Sequence, residues 1–422
     1  MILALVLFIL TYIFILVFSN HKHIVALVSA FVFIILGILP INKVIPSIDF
    51  NVLLMILGIM GTVNLFIDSK MPNKLSDYII DVSHNTKWMT ILLAFFAAIV
   101  SAFIDNVATV LMIAPVALAI AKKVKVSPVP ILISISIFSN LEGAATLVGD
   151  TTSILLAGAA NMNFLDFFIY DKKMGLFFII QIGTLLSLCI LYFKIRKRSK
   201  KVEKSDEEII VNDYIPTYLL ALTIISLIIA SFIPNKFELT NGLICMTFYL
   251  IGLIRDLIKD KDFKILTNSL MTIDYQTLLL LASLFVVIGG IKEAGVIDAI
   301  SNLFTGFSSN VFIIYTIIVF FSVIISAFID NIPYVATMLP VVYAMSINLG
   351  INPTILYYGL IIGATLGGNI TPIGASANIA SIGILNKNGY KISLKEYLSY
   401  SVPITLVAVL SGYLIVAFEY LV

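Results

Sequence analysis

One stretch occurs twice, and the repetition limits the folds open to this chain more than any other feature. Ser101-Ala-Phe-Ile-Asp105-Asn106-Val-Ala-Thr-Val-Leu-Met-Ile-Ala-Pro115 returns 225 residues later as Ser326-Ala-Phe-Ile-Asp330-Asn331-Ile-Pro-Tyr-Val-Ala-Thr-Met-Leu-Pro340. At the same offset, Leu141-Glu-Gly-Ala-Ala-Thr-Leu-Val-Gly149-Asp-Thr-Thr-Ser-Ile154 falls on Leu366-Gly-Gly-Asn-Ile-Thr-Pro-Ile-Gly374-Ala-Ser-Ala-Asn-Ile379, with no insertion between the two matches. The chain therefore reads as an internal duplication. Each copy places an Asp-Asn pair, then a break rich in Gly, Thr, Ser and Asn, within sequence apolar enough to lie in a bilayer.

The 422 residues are 60% hydrophobic and 12% charged, and the mean hydropathy is +1.09, far above that of soluble domains. This predicts an all-α polytopic membrane protein with the lipid bilayer as its surroundings. A formal net charge of +2, with no basic helix interleaved with aromatics, gives no sign of a nucleic-acid partner. Cys189 and Cys245 fall in apolar segments, so neither a disulfide framework nor a cysteine metal site is expected, and His21, His23 and His84 read as solvated loop histidines. No Gly precedes a Lys, so the phosphate-cradling loop of an ATPase domain is missing from this chain. Ile2 to Ser19 lacks a basic leader and a small-residue cleavage site and is read as a first span, not a signal peptide.

A helix needs roughly 20 apolar residues to cross the membrane. By that ruler the first copy has spans near 2–19, 24–41 and 51–67. An apolar run bounded by Lys87 and Lys122 follows; its 34 intervening residues are short for two crossings and a turn, so a re-entrant hairpin with Asp105-Asn106 at its tip is expected. The segment from Pro130 to Ala160 is interrupted at Glu142-Gly143 and Gly149–Ser153 and reads as two half-helices around an unwound centre, before a last span near 174–193. The second copy repeats the scheme with spans near 214–233, 239–254 and 275–291, a hairpin near 311–346, a broken helix near 354–385 and a span near 400–420. Each copy then has five crossings, one of them broken, plus one hairpin. An odd number of crossings makes the two copies inverted repeats, 1–193 and 214–422, joined by a charged linker at 194–213.

That linker, Lys194-Ile-Arg-Lys-Arg-Ser-Lys-Lys-Val-Glu-Lys204 followed by Asp206-Glu207-Glu208, fixes orientation. Threading the segments from it places 21 of the 26 basic residues on its side, with only Lys43, Lys172, Lys173, Lys236 and Lys292 opposite. Basic loops stay in the cytosol. The expectation is a plasma-membrane protein with a cytosolic linker and both termini external.

An ionised carboxylate near the bilayer centre costs about 2.5–3.5 kcal/mol, so such groups line cavities or find partners. Asp105 and Asp330 incur that cost at matched positions. Each aspartate could simply cap its half-helix, but capping does not preclude ion binding, and carboxylate with unwound backbone carbonyls suits a small cation. A bound Na⁺ at Asp105, Asn106, Asp330 and Asn331 is the one candidate cofactor. Gly143, Gly149, Gly367, Gly368 and Gly374 are expected to let the broken helices leave helical geometry, with Pro372 enforcing the second break, although small residues also serve close packing. Thr146, Asp150, Thr151, Thr152 and Ser153 in one copy, and Asn369, Thr371, Ser376 and Asn378 in the other, supply donors and acceptors where backbone groups are freed. Half-helix N-termini there would present positive dipole ends to an anion. Pro115 and Pro340 read as kinks in the returning arms.

Four motifs in order, Ser101–Thr109, Gly143–Asp150, Ser326–Pro333 and Leu366–Asn378, resemble the ion transporter superfamily, specifically the ArsB/NhaD permeases of arsenical pumps and sodium–proton antiporters. Within that group the tips are most similar to the branch containing the melanosomal P protein, and the group is related to citrate-transporter-like permeases. The resemblance implies scaffold and transport domains in each protomer, a homodimer, and elevator-like movement of hairpins and broken helices. Two departures bear on substrate. Glu142-Gly143 stands where the family has two glycines, and Gly149-Asp-Thr-Thr-Ser153 stands where Gly-Asp-Pro-Pro-Asn is common. Relatives handling dicarboxylates carry Ser-Asn-Thr at the tips, where this chain has Asp-Asn-Val and Asp-Asn-Ile, which points away from citrate or succinate.

Residues and resemblance together predict a non-enzymatic, cation-coupled (Na⁺ or H⁺) secondary active transporter of a small ion, an inorganic or small organic anion, working by alternating access. A sodium–proton antiporter without an anion substrate and an arsenite or antimonite efflux permease are alternatives; a channel or inert scaffold fits the paired polar breaks less well. Glu142 and Asp150 correspond to Gly367 and Ala375 at the 225-residue offset, so cation coupling is expected at Asp105, Glu142 and Asp150 and the anion nearer Asn369, Thr371, Ser376 and Asn378.

Overall fold

The computed structural model describes residues 1–18, 21–197, 200–201, 210–260 and 269–421. Half of the charged linker, including Arg198, Ser199 and Lys204, lies outside them, as do Lys261 and Lys264. The first part of the chain forms α1 (Ile2–Val17), α2 (Lys22–Ile35), α3 (Ile41–Ser47), α4 (Phe50–Asp68), α5 (Met71–Asp81), α6 (Thr86–Ser101), α7 (Asn106–Lys123), α8 (Val129–Glu142), α9 (Thr151–Ala160) and α10 (Leu176–Ile195). After the linker come α11 (Ile215–Ser231), α12 (Thr240–Asp260), α13 (Tyr275–Glu293), α14 (Val296–Phe307), α15 (Val311–Ser326), α16 (Asn331–Leu349), α17 (Thr354–Ile361), α18 (Ser376–Lys387) and α19 (Leu394–Leu421). A π-helical turn, Ile362–Leu366, extends α17, and a two-residue antiparallel pair, β1 (Ile169–Tyr170) with β2 (Lys173–Met174), precedes α10. The protein is an all-α polytopic membrane protein apart from that minimal hairpin.

Six successive helices, α4 to α9, begin 225 residues before α13 to α18, at Phe50, Met71, Thr86, Asn106, Val129 and Thr151 in the first set. Seven described helices are long and apolar enough to cross a membrane: α4, α7, α10, α12, α13, α16 and α19. The pair α14 and α15, bent by 117°, makes an eighth if taken as one span. The helices at the expected opening spans 2–19 and 24–41 are shorter, 16 residues in α1 and 14 in α2; Gly37, at a left-handed φ of 67°, ends α2 early. The last span starts earlier than expected, at Leu394, and runs for 28 residues.

Two amphipathic helices lie outside the expected spans. α5 and α14 follow residues in left-handed backbone, Lys70 (φ 61°) and Gly295 (φ 71°), which turn the chain sharply after α4 and α13. Each then leads into a pair of arms joined by a short turn, residues 102–105 between α6 and α7 and residues 327–330 between α15 and α16.

Polar contacts define two ends of the bundle. At the connector end, Thr86 N–H donates to the Lys200 carbonyl at 2.9 Å and Lys200 Nζ donates to the Lys125 carbonyl at 2.9 Å, so the first arm pair starts and finishes beside one residue. Lys122 Nζ donates to Asn388 Oδ1 at 2.8 Å, bringing the end of α18 there as well. At the opposite end, Asn348 Nδ2 donates to Asn302 Oδ1 at 2.9 Å, Asn352 Nδ2 to Asp171 at 3.5 Å and Lys173 Nζ to the Glu419 carbonyl at 2.5 Å. The segment α8–α9 thus runs from the connector end to the opposite end, and α17–α18 runs back. At the connector end Arg255 pairs with Asp213; partial burial would raise that carboxyl, but the guanidinium outweighs it and holds Asp213 below its ordinary range.

The two broken segments form the centre of the molecule. Every residue of α8 and of α17 is buried. Their interruptions, 143–150 and 367–375, therefore sit deep in the bundle against the two tips.

Candidate functional site

Both tips are built by the same local chemistry. Asp105 caps α7: Val107 and Ala108 N–H donate to its Oδ1 at 2.9 and 3.1 Å. Asp330 caps α16 by accepting from Ile332 N–H at 3.3 Å. The neighbouring asparagines turn inward. Ser101 Oγ donates to Asn106 Oδ1 at 2.8 Å, and Ser326 Oγ to Asn331 Oδ1 at 2.6 Å.

The broken segments clasp these tips. Thr146 donates to the Ala102 carbonyl, and Thr371 to the Ala327 carbonyl. A Cβ on Gly143 would lie 2.5 Å from Asn106 Oδ1, and one on Gly368 2.6 Å from Asn331 Oδ1. A Cβ on Gly149 would fall 2.6 Å from the Gly143 carbonyl, and one on Gly374 2.5 Å from the Gly368 carbonyl. None of these glycines has a positive φ. Expected for backbone freedom, they serve close approach of tip and break instead; Gly367 packs its Cα face on Val323 in the same way, 2.7 Å from where a Cβ would be.

A network of buried amides joins the copies. Asn106 Nδ2 donates to Asn140 Oδ1 at 3.0 Å, and Asn140 Nδ2 donates to Asn369 Oδ1 at 2.8 Å and Asn378 Oδ1 at 3.3 Å. Asn369 Nδ2 returns to the Ile137 carbonyl at 3.0 Å, and Asn378 Nδ2 reaches the Gly368 and Thr371 carbonyls at 3.3 Å. Thr152 Oγ1 meets Thr365 Oγ1 at 3.2 Å and donates to Asp150 Oδ2 at 3.0 Å, while Ser153 Oγ donates to the Gly143 carbonyl at 3.2 Å. Asn140 and Thr365, matched by the repeat, were not picked out from sequence. The signal was a polar residue one step before each matched stretch, within an otherwise apolar helix.

The tips share one cavity of about 550 Å³. Asp105, Asn106, Asn140, Asp150, Thr151, Asp330, Asn331 and Ser376 line its inner part, and Asp68, Thr272, Asp274 and Gln276, all exposed, lie at its outer part. That outer part follows α4 and precedes α13, at the connector end. Four tip and break helices begin at the cavity, α7 at Asn106, α9 at Thr151, α16 at Asn331 and α18 at Ser376; α13, capped by Asp274, and α2, at Lys22, also begin along it. Asp105, Asp150 and Asp330 cap the first three, whereas the cap position of α18 is Ala375, with no side-chain hydrogen bond. Five aspartates face the cavity against one lysine, Lys22. Lys22 pairs with Asp330, whose Oδ2 also accepts from Ser376 Oγ at 3.2 Å.

Two expectations bear restating against the geometry. Glu142 does not join Asp105 and Asp150 at the cavity: it is fully buried, takes a 2.6 Å hydrogen bond from Gln181 on α10, and its Oε1 has no partner among the described residues. The four residues of the expected Na⁺ set all line this cavity, with the Asn106 and Asn331 carbonyl oxygens accepting from serines and Asp330 holding Lys22. Asp105 keeps its carboxylate without an ion pair among the described residues, and no group of three His, Cys, Asp or Glu side chains there is placed to hold a metal. A cation would thus be held by Asp105 with Asp150 and nearby neutral oxygens. Lys22, which the sequence marks only as a cytosolic charge, is a third residue that sequence reasoning misses.

Known proteins match along most of the chain. The family model described as citrate transporter matches residues 5–363. A 46 kDa membrane protein of Mycobacterium leprae is 28% identical over 100% of this chain and 99% of its own length. The P protein of Sus scrofa is 26% identical over 89% of this chain and 54% of its own. The crystal structure of the Alcanivorax borkumensis YdaH transporter superposes with a TM-score of 0.61 at 13% identity, covering 89% of this chain and 87% of that one, a likeness of fold. The matching family is the citrate transporter one, not the narrower ArsB/NhaD group that the motifs resemble. By the extent of that match, the chain belongs to the citrate transporter family and is a secondary active, multi-pass membrane transporter of a small solute, not an enzyme.

Proposed function

We propose that the chain is a cation-coupled (Na⁺ or H⁺) secondary active transporter of a small ion, an inorganic or small organic anion. The observation that carries this reading is that four tip and break helices begin at one cavity, three capped by aspartate and the fourth, α18, with no side-chain cap. An aspartate at an N-terminus cancels the dipole and adds negative charge, which attracts a cation. The uncapped N-terminus of α18, with Ser376 beside it, presents its N–H groups and half a positive charge to an anion. Cation coupling therefore belongs to Asp105 and Asp150, and anion selection to the α18 entrance near Ser376, with Asn369, Thr371 and Asn378 holding the α18 break in place.

The reading extends to the whole molecule. The copies 1–193 and 214–422 are inverted repeats around the linker 194–213, each with five crossings and a re-entrant hairpin. The opposite directions of α8–α9 and α17–α18 support this. The basic connector end faces the cytosol of the plasma membrane and the termini face outward, so the cavity is open inward; elevator-like movement of tips and breaks, in a homodimer, exposes it to the other side. The P protein likeness, like the tip motifs, fits a place near the ArsB/NhaD permeases.

Five aspartates against one lysine favour a second reading, a sodium–proton antiporter with no anion substrate. Everted membrane vesicles carrying the chain separate the two. Under the anion reading, Na⁺ alone leaves a preformed pH gradient intact until a transported anion is added. Collapse of the gradient by Na⁺ alone, lost in Asp105→Asn, would establish the antiporter reading instead.

A further inference from the structure

The two tips carry the same aspartate in unlike electrostatic states. Asp105 accepts only its own helix's N–H groups at Oδ1 and has no basic partner among the described residues. Asp330 at the same repeat position accepts from Lys22 Nζ, a residue 308 positions away at the start of α2. The side chains of Lys22 and Asp330 are 22% and 21% exposed, so the pair lies within the cavity and not on the open surface. α1 reinforces the junction: Tyr12 OH donates to the Pro333 carbonyl on α16, one turn past the tip.

A primary ammonium is a compact unit positive charge with three donors, the same charge as a monovalent cation. Placed on Asp330 Oδ2, it fills the position that a free cation occupies at Asp105 in the proposed function, on which this inference rests. We infer that Lys22 is a built-in cation that permanently satisfies the second tip, so that each protomer binds one fewer coupling cation than its two matched aspartates would allow. The same neutralisation explains how an anion can approach α18, because Ser376 shares Asp330 Oδ2 with Lys22.

Removing the ammonium leaves Asp330 with one backbone N–H and one hydroxyl in a poorly solvated site. A partly buried carboxylate stripped of its partner recruits another cation or gains a proton. Lys22→Met should therefore create a cation site that wild type lacks. The test is equilibrium binding of radioactive ²²Na⁺ to the purified full-length chain in detergent at pH 8, with choline replacing Na⁺ to hold ionic strength. Lys22→Met should bind one more Na⁺ per protomer than wild type, and Lys22→Met/Asp330→Asn should lose that addition.

Equal numbers in wild type and Lys22→Met, zero or otherwise, overturn the inference; where the number is non-zero, sodium coupling itself stands. A wild type that binds none while Lys22→Met binds one supports the inference and removes sodium from the proposed function. Should Lys22→Met not fold, Asp330→Asn with Lys22 intact gives the answer. It keeps the wild-type Na⁺ number if Lys22 fills the site and loses one Na⁺ if Asp330 is an ion ligand, which would overturn the inference.

Discussion

Asn140 ties the tip of one copy to the break of the other, and it does so without charge. Its amide accepts from Asn106 and donates to Asn369 and Asn378, so three buried amides depend on it. A buried polar group left unpaired costs about 1–3 kcal/mol. Asn140→Leu should therefore lower stability by about 2–4 kcal/mol, seen as a lower Tm in detergent, and should abolish transport although every aspartate remains. Asp105→Asn should behave in the reverse manner. Asparagine caps a helix about as well as aspartate, so folding should change by less than about 0.5 kcal/mol, while dependence of transport on Na⁺ or pH is lost. A matched loss of Tm in both variants would argue that Asp105 acts as a cap alone. The aspartates and tip asparagines were legible in the sequence because the repeat marks them. Lys22 and Asn140 were not, since what gives each its place is a partner far along the chain, Asp330 for one and Asn369 for the other.

The break segments work by close approach. Gly149 puts its Cα against three backbone carbonyls, those of Gly143, Ser101 and Ala102, where a Cβ would lie 2.6 to 2.9 Å away. Backbone cannot yield as a flexible side chain does, so Gly149→Ala should cost about 1–3 kcal/mol and part the tip from its break. The consequence expected is loss of transport with the helical content kept, read by uptake and far-UV circular dichroism. Gly306→Ala in α14 is the control: nothing lies within 4 Å of its Cβ, and alanine is favoured in helices by up to about 1 kcal/mol. It should be neutral or stabilising; equal damage from both would contradict the packing argument. The arms and breaks were legible because polar interruptions in apolar sequence leave few other foldings. The helices α5 and α14 were not, because 11 and 12 residues are too few to register as spans. Their positions depend on left-handed turns at Lys70 and Gly295 that hydropathy does not reveal.

For the molecule as a whole, the polar contacts gather loops at two ends, and in the proposed orientation the Lys- and Arg-rich connector end meets the cytosol. Single cysteines at Asn388 and Asn352, both exposed and at opposite ends, test it once Cys189 and Cys245 are replaced. A membrane-impermeant maleimide applied to intact cells should label the Asn352 position and spare Asn388; the reverse pattern would invert the topology. In the proposed function an ion gradient drives movement of a second small ion through the shared cavity. Proteoliposomes holding purified chain, clamped at zero membrane potential, allow a direct measurement of uptake across a panel of small anions under imposed Na⁺ or H⁺ gradients. The account predicts that wild type accumulates one of them above its equilibrium level only while the gradient lasts, and that Asp105→Asn merely equilibrates it. Uptake that never exceeds equilibrium in wild type, or that Asp105→Asn drives uphill as well as wild type does, would contradict it.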